Sequence, residues 1–129
     1  LMTRSMVAPA PSPSTVGSQF EKGAEDFLNE NDLQTLRRNY KCKFGEVDLI
    51  MEEHGFLVFV EVRFRRNNSF GGPLESITLA KQKRVIRSAS YFLSMEPKFQ
   101  NHPCRFDVVG VTQNNTQFVY DWIRDAFST

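Results

Sequence analysis

At 129 residues, with 40% hydrophobic content and twelve Phe, the chain is sized for one domain with a substantial core. No apolar run nears the ~20 residues of a membrane span, which excludes a membrane-crossing helix. Two cysteines, Cys42 and Cys104, exclude a disulfide framework and fit a reducing cytoplasm as two unpaired thiols.

Residues 1–16 (LMTRSMVAPAPSPSTV) are rich in Pro, Ser and Ala and carry no apolar period. They are expected to form a disordered natural tail or an expression remnant, because they bury too little surface to offset the entropy of ordering them. The prolines also interrupt any signal-peptide core. The domain proper is expected at 17–129.

Ser18 and Glu21 read as a capping box opening a first helix that ends near Asn31. Phe20, Ala24, Phe27 and Leu28 recur at helical spacing, with Glu21 and Glu25 one turn apart beside them. Leu33 to Tyr40 reads as a first strand and Glu46 to Glu52 as a second. Gly55 allows a tight connection to a third, Phe56 to Phe64, apolar on both faces and therefore central and covered on both sides. Arg65 to Ser76 is a polar loop in which Phe70 is expected to pack on the sheet. Thr78 to Met95 is a second helix, with Leu79, Ile86, Ala89 and Leu93 on its apolar face and Lys81, Lys83, Arg84 and Arg87 on the remainder. Pro97 stops it. Arg105 to Thr112 and Gln117 to Ile123 complete the strands, and Asp125 to Thr129 reads as a short tail. The order α-β-β-β-α-β-β predicts an α/β sandwich around a mixed sheet.

The net charge is only +1, but it is unevenly placed. From Arg63 to Arg105 the basic residues are Arg63, Arg65, Arg66, Lys81, Lys83, Arg84, Arg87, Lys98 and Arg105, against the acids Glu75 and Glu96. Such a basic middle implies a one-sided positive surface suited to a phosphate backbone; the competing reading is an ordinary solvated helix face.

Side chains alternate across a strand, so Leu57, Phe59, Glu61 and Arg63 share one face, and Glu46, Asp48 and Ile50 share a face of the preceding strand. Counting outward from His54–Gly55 brings Asp48 close to the level of Glu61, and register decides whether they share a face. Two converging buried carboxylates repel and are costly to desolvate. Arg63 can neutralise part of that charge. A divalent ion would complete the task, and oxygen-only ligands select Mg²⁺ or Mn²⁺.

The segments G-A-E-D-F-L, R-N-Y, G-E-V-D-L-I, V-F-V-E-V-R-F-R, F-G-G-P-L-E-S-I, K-Q-K-R, R-F-D-V-V and D-A-F carry a resemblance across nearly all of 17–129. Together they resemble the bacterial YraN-like family of uncharacterised predicted endonucleases. That family falls within the PD-(D/E)xK nucleases, similar to Holliday-junction resolvases and restriction enzymes. The resemblance implies a restriction-endonuclease-like three-layer sandwich with a central mixed sheet of about five strands. It implies that Asp48 and Glu61, with the Val62 carbonyl, ligate the metal, and that Glu25 completes the shell, directly or through water. It also implies that position 63 orients water or stabilises the transition state, and that Lys81 or Gln82 touches substrate phosphate. Arg63 departs from the usual lysine, and arginine cannot accept a proton, although it can hold a phosphate oxygen.

The leading expectation is thus a Mg²⁺- or Mn²⁺-dependent endonuclease acting on DNA, branched or single-stranded. Asp48, Glu61 and Arg63 would carry its chemistry. Arg65, Arg66, Lys81, Gln82, Lys83, Arg84 and Arg87 would hold nucleic acid. A homodimer would suit junction cutting. The alternatives are a catalytically silent nucleic-acid-binding module and a protein-interaction domain in which the same acids and arginines form a structural ion pair.

Overall fold

The computed structural model describes residues 2–9, 16–65 and 73–128. Its elements are β1 (Met2–Pro9), α1 (Val16–Glu30), β2 (Gln34–Cys42), β3 (Gly45–Glu53), β4 (Phe56–Arg65), α2 (Leu79–Met95), β5 (Cys104–Asn114) and β6 (Gln117–Phe127), with 3₁₀ turns at Pro73–Ser76 and Pro97–Phe99. From α1 to β6 this is the predicted order α-β-β-β-α-β-β. The sheet runs β1-β6-β5-β4-β3-β2 and is mixed, since β4 and β5 are parallel and every other neighbouring pair is antiparallel.

Helices cover both faces. Ala24, Phe27 and Leu28 of α1 pack with Leu49, Met51, Val58, Val60, Val62 and Trp122. Val85, Ala89 and Phe92 of α2 pack with Val47, Ile50, Leu57, Phe59 and Phe106 on the other side. The double-sided burial of β4 follows from its continuous apolar run and makes it the spine of the sandwich. Gly23 lets α1 lie close to the sheet, because a Cβ there would overlap the Tyr120 hydroxyl. Among the described residues no helix is long and apolar enough to cross a membrane. Cys42 and Cys104 are free thiols.

Four details differ from the sequence expectation. Composition argues against order in residues 1–16, yet Met2–Pro9 pairs along β6 from Met2↔Arg124 to Pro9↔Gln117. An edge strand is held by main-chain hydrogen bonds to the open side of its neighbour and needs no apolar period. Helix α1 starts at Val16, so Ser18 is not its N-cap. In α2 the buried face is Val85, Ser88, Ala89 and Phe92, while Leu79 is exposed. Thr78 caps this helix, its hydroxyl accepting from the Lys81 N–H at 3.1 Å, which sets the rotation of the first turn. Finally, β6 continues through Asp125 to Phe127, whose ring stacks on Phe106 with centroids 5.1 Å apart. A register shift between Phe106 and Val108 absorbs the extra residues.

A buried ionic network ties β3, β5 and β6 together. Arg105 Nη1 lies 2.7 Å from Glu53, and Arg105 Nε donates to Asp107 at 3.0 Å. Trp122 Nε1 and the Asp125 N–H each donate to Asp107 at 2.9 Å. Arg124 adds a 2.6 Å contact to Glu53.

Candidate functional site

The β3–β4 hairpin turns through His54 (φ 47) and Gly55 (φ 87), the paired positive φ values of a type I′ turn. The ladder then runs from Glu53↔Phe56 to Leu49↔Val60. The main-chain pairing stops there, and Asp48 and Glu61 are the next residues along the two strands. The Asp48 N–H donates to Glu61 Oε2 at 3.2 Å, and the Val62 N–H donates to Asp48 Oδ2 at 2.8 Å. The two carboxylates thus take main-chain donors and the strands part around them. Strand β3 also changes face here. Val47 packs in the core under α2 and Leu49 in the core under α1, although strict alternation would put both on one side.

Glu61 shares its face with Phe59 and points to α2, whose Lys81 Nζ lies 3.4 Å from Glu61 Oε1. Arg63, two residues on, is held by Ser76: its Nε lies 3.3 Å from the hydroxyl and its Nη2 3.4 Å from the carbonyl. Asp48 borders a cavity of about 370 Å³ on the α1 side, lined also by Glu21, Lys22, Glu25, Arg38, Asn39, Leu49 and Val62. A strand residue presents its N–H and C=O to the same edge, so the Val62 carbonyl faces the same opening as Asp48.

Burial raises the Glu61 carboxyl to about 7, with Asp48 adding repulsion and Lys81 opposing it. Asp48 is likewise raised, first by burial; the Val62 N–H, Lys81 and Arg63 pull it back. A nearby divalent cation would relieve both effects. Among the described residues no group of three or more His, Cys, Asp or Glu closes on one point.

Helix α1 contributes differently from expectation. Glu25 lines the cavity, but both its oxygens are engaged: Arg38 Nε reaches Oε1 at 2.9 Å, Arg38 Nη2 reaches Oε2 at 2.8 Å, and the Thr35 hydroxyl donates to Oε2 at 2.6 Å. Burial alone would raise Glu25; these hydrogen bonds outweigh it and hold the carboxyl below its usual range. Glu21, one turn earlier, is the α1 acid that feels Asp48. Burial raises it, and Asp48 and then Glu46 raise it further. The sequence signal for Glu21 was its position on the flank of the apolar stripe, one turn from Glu25. Arg38 was equally visible as a polar residue of β2, but its partner lies on a helix.

The other sequence candidates divide. The Gln82 amide donates to the Ile77 carbonyl at 3.2 Å. Lys83, Arg84 and Arg87 are exposed on α2, and among the described residues no carboxylate pairs with them. Arg65 is half-buried at the end of β4. Arg66 and Phe70 lie outside the described residues.

Fold and site together define an α/β/α sandwich with a largely buried acid pair at the end of the paired stretch of its central hairpin. The chain belongs to a bacterial family described as "Uncharacterised protein family UPF0102", whose model matches residues 20–111. It is 48% identical over 111 residues to a UPF0102 protein of Nitrosococcus oceani, covering 86% of this chain and 90% of that one. It is also 46% identical over 120 residues to a UPF0102 protein of Pseudomonas putida, covering 92% and 98%, and 46% identical over 116 residues to one of Nitrosomonas europaea, covering 90% and 96%.

Proposed function

We propose that this protein is a Mg²⁺- or Mn²⁺-dependent endonuclease of the PD-(D/E)xK kind, hydrolysing phosphodiester bonds in DNA. The observation that carries the reading is the adjacency of Asp48 and Glu61, linked by the Asp48 N–H donating to Glu61 Oε2 at 3.2 Å. Two carboxyls, both raised by burial, lie just beyond the last paired rung of the central hairpin, joined through the Asp48 and Val62 N–H groups, with Lys81 3.4 Å from Glu61. A pair that only stabilised the fold would not be left mutually repulsive.

Asp48, Glu61 and the Val62 carbonyl would hold the ion, with Glu21 beside them. When bound, such an ion supplies an activated water and offsets the charge that develops at phosphorus. The protein's own groups do the rest. Arg63, steadied by Ser76, would donate to a phosphate oxygen. Lys81 holds positive charge over the reacting end of the pair. Lys83, Arg84 and Arg87 form an exposed cationic face for the nucleic-acid backbone.

The test is cleavage of labelled branched and single-stranded DNA with Mn²⁺ by wild type and Asp48→Ala. Cleavage by wild type alone supports the reading, and equal cleavage by both identifies a contaminant. One observation favours the silent-module reading instead: position 63 is arginine, which cannot exchange a proton with water. Salt-dependent DNA binding without cleavage or Mn²⁺ heat would decide for it.

A further inference from the structure

We infer that Arg38 is a phosphate clamp on the α1 side of the cleft, taking a backbone phosphate of the same nucleic-acid strand that reaches Asp48 and Glu61. This rests on the nucleic-acid reading above and names a binding group that reading leaves out. In the β2–β3 register Arg38 lies opposite Leu49, one residue from Asp48. Its side chain and Asp48 line the same cavity.

The orientation of the guanidinium is built. Its Nε and one Nη2 N–H meet the two oxygens of Glu25 at 2.9 and 2.8 Å. Glu25 is fixed in turn by the Thr35 hydroxyl, which accepts from Asn29 Nδ2 at 3.3 Å. The pair is strongly asymmetric: the Arg38 side chain is 62% exposed and the Glu25 side chain 3%. A pair serving only to join α1 to β2 would gain by covering both partners. Here a buried carboxylate holds an open arginine in one pose, which removes the ordering entropy a flexible side chain would lose on binding. The Nη1 group and the second Nη2 N–H have no partner among the described residues. They form a fork suited to two phosphate oxygens. Its neighbour Arg37 shows the contrast. Arg37 points to the other face, where Glu96 at 2.7 Å, the Leu36 carbonyl at 2.9 Å and the Phe92 ring take up its guanidinium.

The test is fluorescence anisotropy of the full chain on a labelled single strand and a labelled four-way junction, in EDTA, across a salt series. Arg38→Gln is expected to weaken binding about tenfold and to lower the salt slope by roughly one. Glu25→Gln supplies the sharper contrast: it makes the protein more positive, yet it is expected to weaken binding because Arg38 loses its pose. Arg38→Lys, which keeps the charge and loses the fork, should weaken binding while preserving the slope, and serves if either other variant fails to fold. Wild-type affinity and slope in Arg38→Gln, or tighter binding by Glu25→Gln, would overturn the clamp and leave the nuclease reading intact. Failure of the wild type to bind either DNA would overturn the nucleic-acid reading and the clamp with it.

Discussion

Replacing Glu61 with Gln should stabilise the metal-free protein at alkaline pH, the reverse of what removing a buried acid from a structural ion pair does. Glu61 is 2% exposed and its carboxyl is raised from 4.5 to about 7. A rise of that size corresponds to ~3 kcal/mol of disfavour for the ionised form in the folded state. The folded protein binds the proton more tightly than the unfolded chain. The contribution is therefore fully present below pH 4.5, declines as pH rises through 7, and is lost by pH 8. Gln can still accept from the Asp48 N–H, so Glu61→Gln removes the titration while keeping the main contact. Urea unfolding of both proteins in EDTA at pH 4.5, 6 and 8 reads the difference. Wild type should lose ~3 kcal/mol relative to the variant across that range. Mn²⁺ at pH 8 should restore stability to wild type and not to Glu61→Gln. A variant that is less stable by ~3–5 kcal/mol at pH 8 would show that Glu61 and Lys81 form a structural pair, and would refute the argument.

Glu21→Gln should weaken Mn²⁺ binding about tenfold by calorimetry, while Glu25→Gln leaves it within a factor of two, since only Glu21 sits in the field of Asp48. Gly23→Ala should destabilise by ~1–3 kcal/mol despite alanine's better helix propensity, because its methyl meets the Tyr120 hydroxyl. Adding Tyr120→Phe should recover most of that loss in the same thermal melt. Asp107→Asn should cost ~3 kcal/mol by urea unfolding, because Arg105 and Trp122 both rely on the fully buried carboxylate. The Mn²⁺ heat should survive wherever that variant is folded, since Asp107 is not part of the acid pair.

Much of the architecture was legible in the sequence because it is written in local periodicities. The apolar run from Phe56 to Phe64 called for a strand covered on both sides, and β4 is that strand. His54–Gly55 set the hairpin, and counting outward from it reaches Leu49↔Val60, the last paired rung before Asp48 and Glu61. Other features depend on partners far along the chain, which no local pattern encodes. Main-chain pairing with β6 orders Met2–Pro9 despite its composition. A bulge opposite Asp107 carries β6 past Asp125. The difference between Glu21 and Glu25 lies in Arg38 and Thr35 of β2, which take one carboxylate and leave the other beside Asp48. The sequence by itself determined which residues could carry charge on each face. Only the tertiary structure decided which of those charges are neutralised and which remain available, because that depends on distances between elements brought together by folding.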